Sequence, residues 1–386
     1  MNILIDATGI TRQKTGVGVY AKNLLDVLTR IPGTSRFFIL AQDDDSEMDF
    51  GDCPAVTMLW VPARLFRILP LRFLLEQIYL PCLLLTRGID IVHSLHYEFP
   101  LICFRTRRVI TFHDMTFFTM PEVHERLKIF YFRIFMRASV RLADHIIFVS
   151  RSAMEDYKAV LGVPRGSASV IPHGKGQAFR PDIPVAGISE VSARYGLPKR
   201  FILYIGTIEP RKNLLRLVDA FSAVAAHDPD VQLVIAGKMG WMIDDVFREI
   251  DKLGIASRII FPGFIAEADK SALLAACTLF VYPSLYEGFG LPALEALACG
   301  APTITSNTSA LPEVVGDAAL LVDPTSTDSI FAAISTLLSS PELRNELHCR
   351  GPKQAALFTW ERAAAQTAAA YEGLMHATPS GVVRPK

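Results

Sequence analysis

The sequence predicts an α/β protein made of two doubly wound, parallel-sheet domains in tandem. Three observations carry this. Short apolar runs alternate with helical stretches along the whole chain, the order that puts helices on both faces of a parallel sheet. The alternation stops once, at Phe179-Arg-Pro-Asp-Ile-Pro-Val-Ala-Gly, a linker-like stretch, and then restarts. A chain of 386 residues also exceeds what one core ordinarily encloses.

In the first half the apolar runs are Asn2 to Asp6, Phe37 to Ala41, Val56 to Val61, Asp90 to Ser94, Val109 to His113 and His145 to Ser150. Between them, Lys22 to Thr29 reads as an amphipathic helix, and Arg126 to Arg141 as another. In the second half the runs are Phe201 to Ile205, Gln232 to Ala236, Ile259 to Pro262, Thr278 to Tyr282, Pro302 to Thr305 and Ala319 to Val322. An alanine-rich helix follows Leu357-Phe-Thr-Trp-Glu-Arg and ends near Met375; residues 377–386 read as a flexible tail. Parallel sheets of this kind bind ligands beyond the carboxyl ends of their strands, so the strand-end loops of both domains are expected to line a shared cleft.

The most informative loop runs from Tyr282 to Ala296. It sets Glu287 and Glu295 eight positions apart across a glycine-rich turn. Pro292 suits the first position of the helix that follows. Gly288 and Gly290 then lie in a strand-to-helix loop, where backbone N–H groups and a helix start hold an anion. Glu287 enters that loop and Glu295 is expected in the first helical turn. Carboxylates accept hydrogen bonds from hydroxyls, so the pair suits two sugar rings flanking a phosphate, a nucleotide-sugar site. The plain alternative is an acidic residue complementing a helix dipole.

A second loop, Gly206-Thr207-Ile208-Glu209-Pro210-Arg211-Lys212-Asn213, follows the strand Phe201 to Ile205. Adjacent Arg and Lys give a forked donor and a point charge that match a diphosphate; a solvated surface pair is the alternative. In the first half, Gly16-x-Gly18-x-x-Ala21 has the form of a dinucleotide fingerprint, with Asp43 at the ribose-binding distance. That supports a rival reading, an NAD-dependent oxidoreductase. Against it, Ala7 to Thr15 separate the glycines from their strand, and Asp43-Asp-Asp-Ser-Glu reads as an acidic surface turn. His113 and Asp114 end the strand Val109 to His113.

Three of these strings resemble retaining glycosyltransferases of the GT-B fold, glycosyltransferase family 4. They are the E-x7-E run from Glu287 to Glu295, the G-x4-R-K-N run from Gly206 to Asn213, and Ser309-Ala-Leu-Pro-Glu-Val-Val-Gly-Asp-Ala-Ala. The resemblance implies two Rossmann-like domains facing across a cleft, residues 1–180 for the acceptor and 181–360 for the donor. A last helix of about 361–376 would cross back to complete the first domain, with Phe358 and Trp360 at the crossover. It implies a catalytic set of Glu287, His113, Arg211 and Lys212. Glu287 and His113 would contact the donor sugar, Glu295 the ribose, and Arg211 and Lys212 the departing diphosphate. Gly16, Gly18, Gly206, Thr207, Gly288, Phe289, Gly290 and Leu291 would surround the donor, with Asp114 a further candidate. No metal and no resident cofactor are implied. The cast of Gly-Val-Gly-x-Tyr and His-Asp is similar to bacterial mannosyl- and rhamnosyltransferases of surface-polysaccharide synthesis. A GDP-sugar such as GDP-mannose is therefore expected, with a UDP-sugar the alternative and a glycan or lipid-diphosphate-linked acceptor. Pro172-His173-Gly174-Lys175-Gly176 departs from the family's P-x-G-hydrophobic pattern at Lys175, leaving His173 and Lys175 unassigned. A non-catalytic nucleotide-sugar-binding protein is the remaining alternative.

Net charge is zero, yet unevenly spread: through Arg180 there are 22 Lys and Arg against 17 Asp and Glu, and the counts reverse beyond it. Mean hydropathy is +0.30, apolar for a soluble chain. Residues 59–85 mix Arg64, Arg67 and Arg72 with large apolar side chains, and 126–141 place Arg133, Arg137 and Arg141 on one helical stripe. These charges exclude a membrane-spanning helix but suit peripheral contact with an anionic membrane; core helices with solvated arginines are the alternative. No nucleic-acid recognition motif accompanies them. The six scattered cysteines lack metal-ligand spacing and read as buried, reduced thiols of a cytoplasmic protein. The N-terminus reads as a strand, not a signal peptide.

Overall fold

The computed structural model describes residues 1–376 apart from 11–13, 15, 34, 241 and 242; the tail 377–386 and Thr15 of the glycine-rich loop lie outside the described residues. The chain forms two compact units, one from Met1–Gly174 with the segment that begins at Trp360, the other from Lys175–Thr359. The boundary thus falls at Gly174 rather than after Arg180. Its physical reason is local: the Lys175 N–H donates to the Phe358 carbonyl at 3.0 Å, and Lys175 bridges in parallel to Thr359, which ties Lys175 to the second unit. The end of the expected linker is also helical. Pro184, extended at φ −59°, precedes a helix over Val185–Arg194.

The first unit is a seven-stranded parallel sheet: β1 (Asn2–Asp6), β2 (Arg36–Gln42), β3 (Val56–Val61), β4 (Ile91–Ser94), β5 (Arg107–Phe112), β6 (His145–Phe148) and β7 (Ser167–Val170). The spatial order is β3-β2-β1-β4-β5-β6-β7. Strand β7, Ser-Ala-Ser-Val, has no apolar run to announce it. It is an edge strand, and the His145 ring holds its serines, Nδ1 lying 2.7 Å from Ser167 Oγ and Nε2 2.8 Å from Ser169 Oγ. The central strands β1 and β4 are almost wholly buried because both faces are covered.

The second unit is a six-stranded parallel sheet: β8 (Phe201–Ile205), β9 (Gln232–Ala236), β10 (Ile259–Gly263), β11 (Leu279–Tyr282), β12 (Thr303–Ser306) and β13 (Leu320–Val322), in the order β10-β9-β8-β11-β12-β13. Each sheet winds outward in both directions from one switch point, between β1 and β4 in the first and between β8 and β11 in the second. At such a point the two flanking loops diverge and leave a crevice at the strand ends.

The helix Trp360–His376 belongs to the first unit and packs on the helix Val17–Leu28. It is locked polar group by polar group: Tyr371 OH lies 2.5 Å from His93 Nδ1, His93 Nε2 2.8 Å from Thr111 Oγ1, and Thr111 Oγ1 3.1 Å from Tyr20 OH. His173, unassigned from sequence, stacks on Tyr20 at 4.8 Å and on Trp360 at 5.7 Å, and burial lowers its basicity. Lys175 donates to the Phe179 carbonyl at 3.2 Å. The cysteines are free, but only Cys277 and Cys299 are buried; Cys82 and Cys349 are exposed, against expectation, because each lies on an outward helical face. No helix among the described residues is long and apolar enough to cross a membrane.

Candidate functional site

The switch point of the second sheet gathers the loops after β8 and β11. Asn213, in left-handed backbone at φ 63°, ends the 3-10 turn Pro210–Lys212 and donates through its side chain to the Pro283 and Pro324 carbonyls at 3.0 and 2.6 Å. The Leu285 N–H donates to the Arg211 carbonyl at 2.8 Å. These bonds hold Arg211 and Lys212 beside the loop of Glu287. Gly206 is required here because a Cβ would lie 2.7 Å from the Tyr204 hydroxyl, which donates to the Thr207 carbonyl at 3.2 Å.

Glu287 is the hub. Lys212 Nζ donates to its Oε1 at 2.5 Å and to Tyr282 OH at 2.6 Å. Tyr282 OH and Ser284 Oγ donate to the same oxygen at 2.9 and 2.5 Å. Arg211 Nη1 lies 3.1 Å from Oε2 and donates to the Tyr286 carbonyl at 2.7 Å. Burial opposes ionisation of this carboxyl, but Lys212 and then Arg211 outweigh it and hold it down at about 2. The Lys212 ammonium is lowered in turn by burial and by Arg211. Oε1 is saturated by three donors, so Oε2 is the oxygen with capacity left for a ligand hydroxyl.

Glu295 differs. The helix begins at Leu291, with Gly290 as its left-handed cap at φ 100° and Pro292 at the second position, so Glu295 falls in the second turn rather than the first. It is buried, its carboxyl forms no hydrogen bond among the described residues, and it is pushed up to about 7 by burial, with Lys270 opposing and Glu267 adding. Such a carboxyl lacks the hydroxyl donors that would stabilise its charge. Phe289 is buried against Phe358, their rings 5.8 Å apart, and Gly288 is half-buried at the loop's turn.

In the first unit, His113 follows β5 and is buried. Its Nε2 lies 2.8 Å from the Leu95 carbonyl and must donate, so Nδ1 carries the lone pair. Burial and His96 lower its pKa to about 4, so the ring is neutral. Asp114 is used locally: its Oδ1 accepts from Tyr97 OH at 3.0 Å, Thr116 N–H at 3.0 Å and Thr116 Oγ1 at 2.7 Å. Gly16 caps the helix Val17–Leu28 at φ 31°, and Gly18 lies one residue inside it. Asp43 accepts from the Ala63 N–H at 3.0 Å, and Asp45 is buried against Lys14 Nζ at 2.5 Å. The turn is at the surface, as expected, with Asp43, Ser46 and Glu47 exposed, while buried Asp45 ties it to Lys14.

Sequence reasoning missed Glu209, Tyr282, Ser284 and Ser309 as parts of this hub. Glu209 Oε1 accepts from Arg211 Nη2 at 2.7 Å and Nε at 3.1 Å, which fixes the guanidinium plane. Ser309 Oγ accepts from the Glu287 N–H at 2.9 Å. The signal for Glu209 lay two residues before Arg211 in the same loop.

Residues 14–174 match the profile described as Glycosyltransferase Family 4, and residues 190–354 that of Glycosyl transferases group 1. The O-antigen chain mannosyltransferase B of Escherichia coli is 35% identical over 268 residues, 69% of this chain and 70% of that protein. The chain belongs to glycosyltransferase family 4. Within the family it is also 30% identical, over 276 residues, to a GDP-mannose-dependent alpha-(1-6)-phosphatidylinositol dimannoside mannosyltransferase of Mycobacterium tuberculosis (68% of this chain, 70% of that protein). Among solved structures, the Anabaena protein HepE in complex with UDP and glucose superimposes with a TM-score of 0.75 at 19% identity, over 97% of this chain and 99% of that one. The two parallel sheets are those of a GT-B glycosyltransferase.

Proposed function

We propose that this glycosyltransferase moves mannose from GDP-mannose to a hydroxyl of a glycan or lipid-diphosphate-linked acceptor in surface-polysaccharide synthesis, retaining the anomeric configuration. The observation that carries the reading is the Glu287 carboxylate fixed by Arg211 and Lys212 at the β8/β11 switch point, in a chain 35% and 30% identical to the two mannosyltransferases above. A UDP-sugar donor is the second reading, favoured by the UDP bound to HepE.

In this mechanism the bond from C1 to the donor phosphate oxygen breaks as the acceptor oxygen bonds to C1 on the same face. The acceptor proton passes to a donor phosphate oxygen, and the nucleoside diphosphate leaves. Arg211, Lys212 and the loop amides around Gly206 and Gly288 stabilise the charge that grows on the leaving group. Glu287 binds a sugar hydroxyl through Oε2, and Glu295 accepts from the ribose. Neither acts as the nucleophile of a glycosidase, where two carboxylates flank the bond about 5 Å apart. The two basic side chains make a resident metal or cofactor unnecessary. An NAD enzyme is disfavoured because residues 14–174 and 190–354 both match glycosyltransferase profiles.

We place the enzyme peripherally on the cytoplasmic face of an anionic membrane. Leu127, Phe130, Ile134, Arg137 and Arg141 are all exposed and fall on one stripe of the helix Arg126–Leu142. Exposed Leu74 and Ile78 extend the apolar area, since Phe73 packs edge-on against Tyr131 and Phe135 of that helix. Arg72 and Arg133 do not contribute, contrary to expectation. Arg72 turns inward to Glu76 and Glu98, and Arg133 donates to the Phe117 carbonyl at 2.8 Å.

The test is turnover of a panel of GDP- and UDP-sugars, with nucleotide release and anomeric configuration followed by NMR beside a Glu287→Ala control. Release from GDP-mannose with a retained product, abolished in the control, is expected. Release from a UDP-sugar alone would move the donor assignment, and no binding of any donor would overturn the reading.

A further inference from the structure

The switch point of the first sheet carries a charged constellation that the donor site does not use. Arg72 Nε lies 2.7 Å from Glu76 Oε1, and its Nη2 lies 2.9 Å from Glu98 Oε1. The second oxygen of Glu98 lies 2.9 Å from His96 Nδ1. The loop after β1 closes on this group, for a Cβ at Gly9 would come within 2.8 Å of Arg72 Nη2. Asp6, the last residue of β1, is buried beside it and pairs in register with Ser94, two residues before His96.

The arrangement fixes a tautomer. Burial opposes the charge on Glu98, but Arg72 and His96 overcome it and hold the carboxyl below its ordinary range. An ionised carboxylate only accepts, so His96 Nδ1 carries a proton, and in this Nδ1–H tautomer Nε2 presents a lone pair. Tyr97 at 4.2 Å and Phe132 at 5.2 Å hold the ring, and His113 lies 6.2 Å away at 28° from parallel. The side chains of Glu98 and Glu76 are 2% exposed, whereas that of His96 is 25% exposed. His93 and His145 of this unit each use both ring nitrogens. His96 Nε2 has no hydrogen-bond partner among the described residues.

We propose that His96 Nε2 accepts a hydrogen bond from a hydroxyl of the acceptor glycoside, with Glu98 and Arg72 as positioning residues behind it. The inference rests on the sugar-transfer reading above and adds the acceptor-side residue that it lacks. The lone pair at the β1/β4 switch point is complementary to a sugar O–H, and the buried carboxylate keeps the proton on the other nitrogen.

Two measurements test it on the full chain. Long-range proton–nitrogen NMR of protein labelled with 15N-histidine, His96 being assigned by its loss in His96→Gln, should give the Nδ1–H tautomer; an Nε2–H tautomer overturns the proposal. In kinetics with GDP-mannose and octyl α-D-mannopyranoside, His96→Ala should raise the KM for the glycoside about tenfold, leaving GDP binding and the donor KM within twofold. Glu98→Gln should fall between the two. An active wild type and a His96→Ala variant with unchanged glycoside KM would sink this inference alone. If His96→Ala melts early, His96→Gln, which fills the space, is the kinetic variant. A wild type that releases GDP but ignores the glycoside overturns the acceptor class, and one inert to every donor overturns the parent reading.

Discussion

Lys212 and Glu287 stand 75 positions apart in the chain, and their charged atoms meet at 2.5 Å in the buried floor of the second unit. Their loops follow β8 and β11, neighbours in space though three strands apart in sequence. Burying two charges is costly unless each satisfies the other, so neither tolerates loss of its partner. Lys212→Met should lower stability by about 3 kcal/mol and abolish transfer, as read by urea titration and product formation. The double variant Lys212→Met, Glu287→Gln should recover much of the stability and none of the activity.

The acid limb of the stability profile should carry the signature of Glu287. Its folded value, about 2, lies below its ordinary 4.5. The stability it contributes is complete above about pH 4.5 and is lost as pH falls towards 2. Glu287→Gln should therefore flatten the loss of stability across that window, and an acid denaturation curve as steep as the wild type's would refute the assignment.

Glu295 runs the other way. Its folded value, about 7, lies above 4.5, so the folded protein keeps a proton that the unfolded chain releases, and stability falls as pH rises from about 4.5 through 7. At pH 8 Glu295→Gln should exceed the wild type by about 3 kcal/mol, with the two equal near pH 4. If ribose hydroxyls bind the ionised carboxylate, GDP should bind more tightly as pH rises from 6 to 8, a trend absent in Glu295→Gln. Calorimetric titrations at three pH values decide it.

Two glycines of the second unit should respond oppositely to alanine. Gly237 adopts φ +139°, and a Cβ there would lie 1.9 Å from the Gly206 carbonyl oxygen, in the loop after β8. Gly237→Ala should cost more than about 2 kcal/mol and weaken nucleotide binding. Gly187, in the helix Val185–Arg194 with nothing near its Cβ direction, should gain about 0.5–1 kcal/mol on the same change. Thermal melts of both variants provide the comparison.

The exposed stripe predicts membrane binding through mixed chemistry. Phe130→Ser with Arg137→Glu and Arg141→Glu should reduce sedimentation with vesicles containing anionic lipid, while Arg133→Gln should change it little, its guanidinium being turned to the Phe117 carbonyl. Equal sedimentation of the triple variant and the wild type would remove the membrane from the account.

What the sequence made legible follows its physics. Most strands are apolar runs between turn signals, so twelve of the thirteen were visible, and Ser167–Val170 was not because Ser-Ala-Ser-Val carries a single large apolar residue and is held at its edge by the His145 ring. Glu287, Arg211 and Lys212 stood out as charges at strand ends. Their partners Tyr282, Ser284 and Ser309 did not, since a hydroxyl near a strand end is ordinary until the fold brings it to a carboxylate. Arg72 was counted as a surface cation because Glu98, which draws it inward together with Glu76, lies in a loop 26 positions away, and composition records charge but not direction. Glu295 was placed one turn early because the left-handed cap at Gly290 sets where the helix begins.

The first unit is interrupted by the whole of the second, which enters after Gly174 and leaves before Trp360. The helix Trp360–His376 is synthesised after the whole second unit, so Val17–Leu28 and the His93 ring gain these partners only once residues 175–359 have been made. The second unit, continuous from Lys175 to Thr359 and stitched at its ends by Lys175 and Phe358, has no such wait. Connectivity thereby sets when partners become available: the second unit is complete within one continuous stretch, and the first only when its last helix has been added.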